Sequence, residues 1–246
     1  MPERLYVNSY SCAPNEACFC SSGLAFGECC GSTAADRKIP SGINIIHGFV
    51  SKPECRKIVR LCEKQDRSWL KIATQDASGK KIEVRDRDRR NTQTIGLEEY
   101  QGQFNQLIND AFVKAIEPMI QRPIEFFEVP YVLWYKPGGF YIAHADADAF
   151  DQGNNRWYRA QNRDVSVLVY LNDDYEGGEL FFPNFDYTYK PQAGDCLFFP
   201  SGNLYLHESK PIRSGAKLAV VCWGALEGTP RVPLTQPQQF LAPHRG

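Results

Sequence analysis

The chain has 246 residues, of which 43% are hydrophobic and 23% are charged, and its formal net charge at pH 7 is −1. This length can bury one sizeable core with room for a small appendage, and the balanced charge gives no general attraction to nucleic acid or to a membrane surface. No apolar run approaches the roughly 20 residues that span a bilayer. The N-terminal segment, which starts with residues 1–4, lacks the apolar core expected of a signal peptide. We therefore expect a cytoplasmic protein, in which structural disulfides are disfavoured.

Four cysteines near the N-terminus form a close cluster. Cys18 and Cys20 are separated by one residue, and Cys29 and Cys30 follow after eight more. Four thiolates this close in sequence suit a tetrahedral structural zinc site. Metal binding would supply the folding energy that so short a segment cannot draw from a core. Redox-active disulfides or free thiols are the alternative, and Cys12 lies outside the pattern.

The next part of the chain is predicted to contain one strand and two helices. Residues 42–50 read as a strand. Ser51 and Glu54 form a capping box with Pro53 in the first turn, which predicts an amphipathic helix to about residue 64. Apolar residues at helical spacing predict a longer second helix over residues 98–120.

The segment between these two helices is highly charged. Within residues 74–92, residues 85–90 alternate as Arg-Asp-Arg-Asp-Arg-Arg. We expect a solvated loop or hairpin, and a lid that contacts substrate is the alternative.

From residue 124 onward, short apolar and aromatic segments are broken by Gly, Pro and Asn, which is typical of a β-sandwich or barrel. After residue 228 the sequence is rich in Pro and Gln, and we expect an irregular tail over residues 229–246. The clearest strands are residues 129–135, 165–171, 180–183, 196–200 and 218–223.

Two histidines and an aspartate in this half have the composition of a metal site. His144 and His207 lie in apolar, aromatic segments that read as strands, and His144 and Asp146 would point to the same face of a strand. Two imidazoles and one carboxylate make the facial triad of a non-haem Fe(II) oxygenase. A cation beyond the second histidine, such as Lys217, could hold the far end of an anionic co-substrate. Surface charge or a satisfied hydrogen bond is the alternative for an isolated His-x-Asp pair.

Further motifs accompany the triad in a fixed order. With the upstream strand and capped helix, they resemble the catalytic core of the prolyl 4-hydroxylase family of Fe(II)/2-oxoglutarate dioxygenases, over residues 40–228. The motifs are Tyr-Lys-Pro-Gly-Gly at 135–139, Tyr-x-x-His-x-Asp at 141–146, Tyr-Leu-Asn-Asp at 170–173, Glu-Gly-Gly-Glu-Leu-Phe-Phe-Pro at 176–183, Gly-Asp-Cys-Leu-Phe-Phe at 194–199, and His-x9-Lys at 207–217.

This resemblance implies a mainly β fold, a double-stranded β-helix or jelly roll buttressed by the N-terminal helices. It also implies that His144, Asp146 and His207 bind Fe(II). Lys217 would pair with the distal carboxylate of 2-oxoglutarate, and Tyr135 would donate a hydrogen bond to it.

Three more residues fall where members of the family contact substrate: Tyr141, Arg163 and Trp223. The alternatives are core aromatics for Tyr141 and Trp223 and a strand-end salt bridge for Arg163. The chain departs from the family at Leu180, where relatives often carry a Thr whose hydroxyl helps to hold 2-oxoglutarate.

The implied activity is O2-dependent hydroxylation with 2-oxoglutarate as co-substrate and ascorbate as a further candidate cofactor. Prolyl residues of a protein or peptide are the expected substrate. The alternatives are a free amino acid or other small molecule, or a non-catalytic binding module on the same barrel. Oxidation of nucleic acid is a weaker alternative, because only the charge-balanced residues 85–90 favour it.

The N-terminal cysteine pattern, with Ser22 and Gly23, closely resembles the SEC-C motif over roughly residues 14–31. This resemblance implies a small zinc module, assigned to residues 1–35, of a kind that docks protein partners or the ribosome.

We expect the purified protein to carry about one zinc ion per chain, bound by these cysteines. Cys20→Ser should lose the ion, whereas Cys12→Ser should keep it, as measured by elemental analysis of the dialysed proteins. Equal zinc content in the two variants would contradict the assigned ligands.

Overall fold

The computed structural model describes residues 15, 25–28, 39–75, 81–233 and 239–246. The four cysteines predicted to bind zinc, Cys18, Cys20, Cys29 and Cys30, lie outside the described residues. Within the described ranges, no helix combines the length and the apolar character needed to cross a bilayer.

The helices come before most of the strands. The α-helices are α1 (Lys52–Glu63), α2 (Gln101–Asp110) and α3 (Glu117–Ile120); a π-helical segment spans Ala111–Ile116, and 3-10 turns span Phe26–Glu28, Glu98–Tyr100 and Asn203–Tyr205. The predicted cap of α1 is confirmed, because the Ser51 hydroxyl accepts a hydrogen bond from the backbone N–H of Glu54 at 3.3 Å.

The single helix predicted over residues 98–120 is instead divided into four pieces. Pro118 cannot donate a backbone hydrogen bond to the turn before it, and the backbone N–H of Glu117 reaches back to the carbonyl of Phe112. The wider π turn places Ala111, Phe112 and Ile116 in the core.

The strands are short and numerous, as predicted. They are β1 (Asn44–Ile46), β2 (Arg67–Trp69), β3 (Ile72–Gln75), β4 (Lys81–Val84), β5 (Gln93–Ile95), β6 (Ile124–Glu128), β7 (Tyr131–Tyr135), β8 (Tyr141–His144), β9 (Asp148–Asp151), β10 (Arg156–Arg159), β11 (Val165–Tyr170), β12 (Glu176–Gly177), β13 (Leu180–Phe182), β14 (Tyr187–Tyr189), β15 (Cys196–Pro200), β16 (His207–Ser209), β17 (Ile212–Ser214), β18 (Lys217–Leu226) and β19 (Phe240–Leu241).

The strand boundaries differ from the prediction at several points. The strand predicted over residues 42–50 is limited to Asn44–Ile46, because the chain turns at Gly48, whose φ of 65° favours glycine. The charged segment contains the β3–β4 hairpin. Within the predicted irregular tail, Phe240–Leu241 forms a strand against β6.

Two antiparallel sheets face each other across the middle of the domain. The larger one has the order β1-β15-β11-β18-β7-β5-β2, with β6 joined to β18 and β19 joined to β6. The smaller one has the order β14-β13-β16-β8. The pairs β3–β4, β9–β10 and β12–β17 stand apart from both sheets. This arrangement confirms the predicted jelly-roll core.

The central strands β11 and β18 are buried at every residue because both faces of the larger sheet are covered. Alternate residues such as Val167 and Cys222 pack against Phe112 and Ile116 of the helical layer. The residues between them, such as Leu168 and Trp223, face the smaller sheet. The candidate site therefore lies between the sheets, on strands that are fixed from both sides.

Candidate active site

The two candidate histidine ligands come from neighbouring strands of the smaller sheet. His207 on β16 is directly opposite His144 on β8 in the antiparallel register, and their ring centroids are 4.3 Å apart. Directly opposed residues of an antiparallel pair share one face. The strand predicted before His207 is wrong for Leu204 and Tyr205, which belong to a 3-10 turn; the strand begins at His207.

Asp146 joins the two histidines through a bend after the end of β8, not through strand alternation as predicted. Its carboxylate oxygens lie 3.7 Å from Nε2 of His144 and 3.6 Å from Nε2 of His207. The Ser166 hydroxyl donates to Oδ2 of Asp146 at 2.7 Å, and Nη1 of Arg163 donates to its backbone carbonyl at 3.1 Å. These two bonds fix the carboxylate on the side of the histidines.

Both imidazoles are oriented so that Nε2 faces the carboxylate. Nδ1 of His144 donates to the carbonyl of Ile142 at 2.8 Å, and Nδ1 of His207 donates to the carbonyl of Tyr205 at 3.0 Å. A carbonyl can only accept, so these bonds leave the Nε2 lone pairs available for a ligand bond.

Burial and the nearby His207 lower the pKa of His144 to about 3, so this imidazole is neutral at pH 7. Burial alone would raise the pKa of Asp146, but the two histidines, Arg163 and the bond from Ser166 outweigh it and lower that pKa. The site therefore offers one neutral nitrogen ligand from His144 and one anionic oxygen ligand, which is the protonation state that a metal requires.

One donor atom from each of His144, Asp146 and His207 lies within 4.8 Å of the others. The nitrogen–oxygen separations are too long for hydrogen bonds and short enough for the three atoms to share one ion. Among the described residues, this is the one group of at least three His, Cys, Asp or Glu side chains so arranged. A 2-His-1-carboxylate set suits Fe(II).

Lys217 lies deeper between the sheets and is only 3% exposed. Its Nζ donates to the Gly178 carbonyl at 2.8 Å and to the Ser209 hydroxyl at 2.5 Å. No described carboxylate lies within ion-pair distance of it, and burial lowers the pKa of Lys217 to about 7 although Glu179 acts in the opposite direction. A buried cation without a counter-charge is costly, so this pocket is suited to an anionic ligand.

Two tyrosines, Tyr135 and Tyr170, line the cavity together with Lys217. Tyr135 on β7 is its direct neighbour across the sheet, and Nζ lies 4.5 Å from the Tyr135 ring. Tyr170 is 1% exposed, and its hydroxyl has no hydrogen-bond partner in the described structure. Leu180, the departure from the family pattern, pairs directly with Ser209. The Ser209 hydroxyl therefore stands beside the position where relatives often carry a threonine hydroxyl.

The three predicted substrate residues lie on either side of the triad. Tyr141 stacks on His144, with ring centroids 3.7 Å apart, and Cζ of Arg90 lies 4.5 Å from the centre of the Tyr141 ring. Cζ of Arg163 lies 3.7 Å from the centre of the Trp223 ring. Arg163 also forms a bidentate salt bridge with Glu128, in which Nε and Nη2 of Arg163 donate to the two carboxylate oxygens at 2.5 and 2.8 Å. The salt bridge considered as an alternative for Arg163 is thus present.

A single cavity of about 1460 Å³ collects all these groups. Its lining includes the eight predicted site residues of the domain, which are His144, Asp146, His207, Tyr135, Lys217, Tyr141, Arg163 and Trp223. The structure therefore brings the eight predicted residues together around one cavity, and their roles remain predictions.

The sequence analysis missed the residues that support these groups. Ser166 is a polar residue in the apolar run of β11, and Tyr170 lies four residues later on the same face. Ser209 lies two residues after His207 in β16, so strand alternation from His207 could have identified it. Glu128 carried no comparable signal, because its contact with Arg163 crosses 35 positions of sequence.

Residues 131–224 match the family model of the 2OG-Fe(II) oxygenase superfamily. The chain is 30% identical over 125 residues to the "Putative prolyl 4-hydroxylase" of Acanthamoeba polyphaga mimivirus, covering 44% of this chain and 52% of that protein. It is 28% identical over 203 residues to prolyl 4-hydroxylase 1 of Arabidopsis thaliana, covering 74% of this chain and 68% of that protein. The chain thus spans about half the length of the mimivirus relative.

Among solved structures, the fold is similar to the viral collagen prolyl hydroxylase from Paramecium Bursaria Chlorella virus-1. The TM-score is 0.50 at 21% identity, covering 80% of this chain and 98% of that one. At this identity the similarity shows the fold alone. The superfamily match and the relatives support the resemblance to the prolyl 4-hydroxylase family that the sequence motifs indicated.

We expect Ser166→Ala to weaken metal binding by about 10- to 100-fold, because the Asp146 carboxylate loses the hydroxyl that orients it. Calorimetric titration with Mn(II) measures the affinity. The matched control is Ser214→Ala, at an exposed serine on β17. Identical affinities for the two variants would contradict the orienting role.

Proposed function

We propose that this chain, whose residues 131–224 match the 2OG-Fe(II) oxygenase superfamily, is an Fe(II)- and 2-oxoglutarate-dependent dioxygenase that hydroxylates prolyl residues in a protein or peptide. One observation carries the proposal: the cluster of His144, Asp146 and His207 opens into the same cavity as a buried Lys217 that has no ion-pair partner among the described residues. A metal site and an anion site in one cavity are what a metal-chelating dicarboxylate needs.

When bound, Fe(II) and 2-oxoglutarate would supply the activation of O2, with one oxygen atom entering a substrate C–H bond and the other leaving in succinate as CO2 is released. His144 and His207 would hold the metal through Nε2, and Asp146 would neutralise part of its charge. Tyr141 covers one face of His144. Phe182 and Phe199 pack near His207, and these rings limit the access of water to the ligands.

Lys217 would bind the distal carboxylate of 2-oxoglutarate, because a dicarboxylate supplies the counter-charge that this buried amine lacks. Burial raises the pKa of Tyr135, which keeps its phenol a neutral donor. We further propose that Tyr170 and Ser209 supply hydroxyl donors to the same carboxylate. Ser209 would then replace the hydroxyl that the chain lacks at Leu180.

The size of the cavity favours a peptide over a small molecule. About 1460 Å³ exceeds the roughly 300–1,000 Å³ of a small-molecule pocket. Relatives named as prolyl hydroxylases support the prolyl side chain as the target. A free amino acid remains the second candidate, and its use would leave the metal and co-substrate sites unchanged.

Three further elements of the proposal come from the sequence. Ascorbate is a candidate reductant for the iron. Zinc on Cys18, Cys20, Cys29 and Cys30 is proposed as the basis of a module that docks a protein partner. The cytoplasm is the proposed compartment, in keeping with four buried free thiols at Cys55, Cys62, Cys196 and Cys222.

The direct test is succinate release from 2-oxoglutarate by the purified protein with Fe(II) and O2, with and without a proline-rich peptide. We expect release to be stimulated by the peptide and abolished in His207→Ala, which removes a metal ligand. Mass spectrometry of the peptide should show the addition of one oxygen atom.

Each outcome of this test has a distinct meaning. Release without peptide stimulation would refute the prolyl peptide and move the search to free amino acids. No release in any condition, despite metal binding, would refute the enzyme and favour the non-catalytic module.

Lys217 predicts a pH dependence of 2-oxoglutarate binding. Its pKa in the empty site is lowered to about 7, so above that pH the dianion must bind together with a proton. We expect the Kd of 2-oxoglutarate in the Mn(II)-loaded protein to be constant below pH 7. Above pH 7, it should rise by up to about tenfold per pH unit. Calorimetry in buffers of different ionisation enthalpy should show proton uptake.

Single variants distinguish the loss of the Lys217 interaction with 2-oxoglutarate from a general loss of protein stability. Lys217→Ala should weaken 2-oxoglutarate binding by about 10- to 100-fold, the range of a charged hydrogen bond, and should remove the pH dependence. Tyr170→Phe should weaken binding but keep the pH dependence. Lys210→Ala, at a partly exposed lysine, is the matched control. An affinity that does not change with pH in the unmodified protein would refute the assigned role.

A further inference from the structure

Positively charged residues gather around Trp69, which lines the cavity. We call this group the cationic rim and define it by Trp69, Lys71, Arg85, Arg87 and Arg89. Trp69, Lys71 and Arg89 line the same cavity as the triad. The rim is formed by the end of β2, the residues after it and the segment that follows β4.

Arg85 and Arg87 are held together on an exposed aromatic ring. Trp69 is 39% exposed, and the Cζ atoms of Arg85 and Arg87 lie 4.0 and 5.6 Å from the centre of its ring. Desolvation and the nearby charge of Arg87 lower the pKa of Arg85. Contact with the Trp69 ring therefore holds two positive charges close together. A bound carboxylate would reduce the repulsion between them.

The cations of the rim have no salt-bridge partner among the described residues, although Glu83 also lines the cavity. Arg163 and Arg231, in contrast, do form salt bridges. Residues 85–90 contain four arginines and two aspartates. Oδ1 of Asp86 accepts the backbone N–H groups of Asp88 and Arg89 and so closes a turn of the segment. The carboxylate of Asp86 is thereby oriented toward its own backbone.

The β9–β10 hairpin also lines the cavity and contributes aromatic rings together with Asp148 and Asp151. Phe150, 43% exposed, packs edge-on against Trp157 at 5.3 Å, and both rings line the cavity. A chain bound in the cavity could thus contact both the cations of the rim and these apolar rings. This combination suits a peptide that carries acidic and apolar residues.

We propose that the cationic rim selects substrates by binding acidic side chains that flank the target residue, with Arg85 and Arg87 as the specificity-determining residues. This inference rests on the proposed function and deepens it. Guanidinium groups bind carboxylates with two parallel hydrogen bonds, and the contact with the Trp69 ring restricts the position of Arg85 in advance. The two interspersed aspartates, Asp86 and Asp88, leave residues 85–90 with a net charge of only +2, which disfavours a long run of phosphates.

Fluorescence anisotropy tests the proposal without turnover. Two labelled proline-containing peptides, one with flanking glutamates and one with glutamines at the same positions, are titrated with the full-length protein loaded with Mn(II) and 2-oxoglutarate. We expect the acidic peptide to bind roughly three- to tenfold more tightly, because each exposed pair contributes modestly. The difference should shrink as salt rises.

Reversing the charge of two rim arginines tests whether they cause the preference for the acidic peptide. Arg85→Glu combined with Arg87→Glu should abolish the preference for the acidic peptide. Arg56→Glu combined with Arg60→Glu, at exposed arginines of α1, is the matched control and should keep the preference. Thermal melting of both double variants checks that they fold.

The outcomes decide between the possible occupants. Equal affinity for the two peptides, or a preference that survives reversal of Arg85 and Arg87, would overturn the proposal. Tighter binding of a single-stranded oligonucleotide, lost in the same double variant, would overturn it in favour of nucleic acid. An acidic preference in a protein that releases no succinate with any peptide would support the surface and refute the enzyme.

Discussion

The pairing of β8 with β16 is the constraint on which the rest of the site depends. Its register sets His144 opposite His207, and a bend after β8 returns Asp146 to the same face. The larger sheet then completes the site from the other side, because Ser166 on β11 orients the Asp146 carboxylate. A shift of one residue in this pairing would turn the histidines to opposite faces.

A second constraint is the buried charge of Lys217. The site lowers the pKa of this amine by removing it from water and gives it only neutral partners, the Gly178 carbonyl and the Ser209 hydroxyl. Burial of the Lys217 amine therefore has an unfavourable free energy, which a bound dicarboxylate would offset. A dicarboxylate ligand would thus gain part of its affinity by offsetting the cost of burying this lysine.

Much of the fold and of the site could be predicted, because local pattern indicated the helix cap, the strands and the triad, and the family resemblance implied the jelly roll and the other site residues. Ser51 capped its helix, and the strand segments and the spacing of His144, Asp146, His207 and Lys217 indicated one site. What could not be predicted depends on contacts between distant residues. The division of the second helix depends on Pro118 and on the burial of Phe112 and Ile116 in the core. The salt bridge of Arg163, which lies outside the strands, with Glu128 on β6 joins residues 35 positions apart. Neither feature leaves a periodic signal in the sequence.

A crystal structure of the full-length protein with Mn(II) and 2-oxoglutarate would test the central claim most directly. The account predicts one metal ion bound by Nε2 of His144, Nε2 of His207 and the Asp146 carboxylate. It also predicts that the dicarboxylate bridges from this metal to the amine of Lys217. A metal bound elsewhere, or 2-oxoglutarate that makes no contact with Lys217, would contradict it.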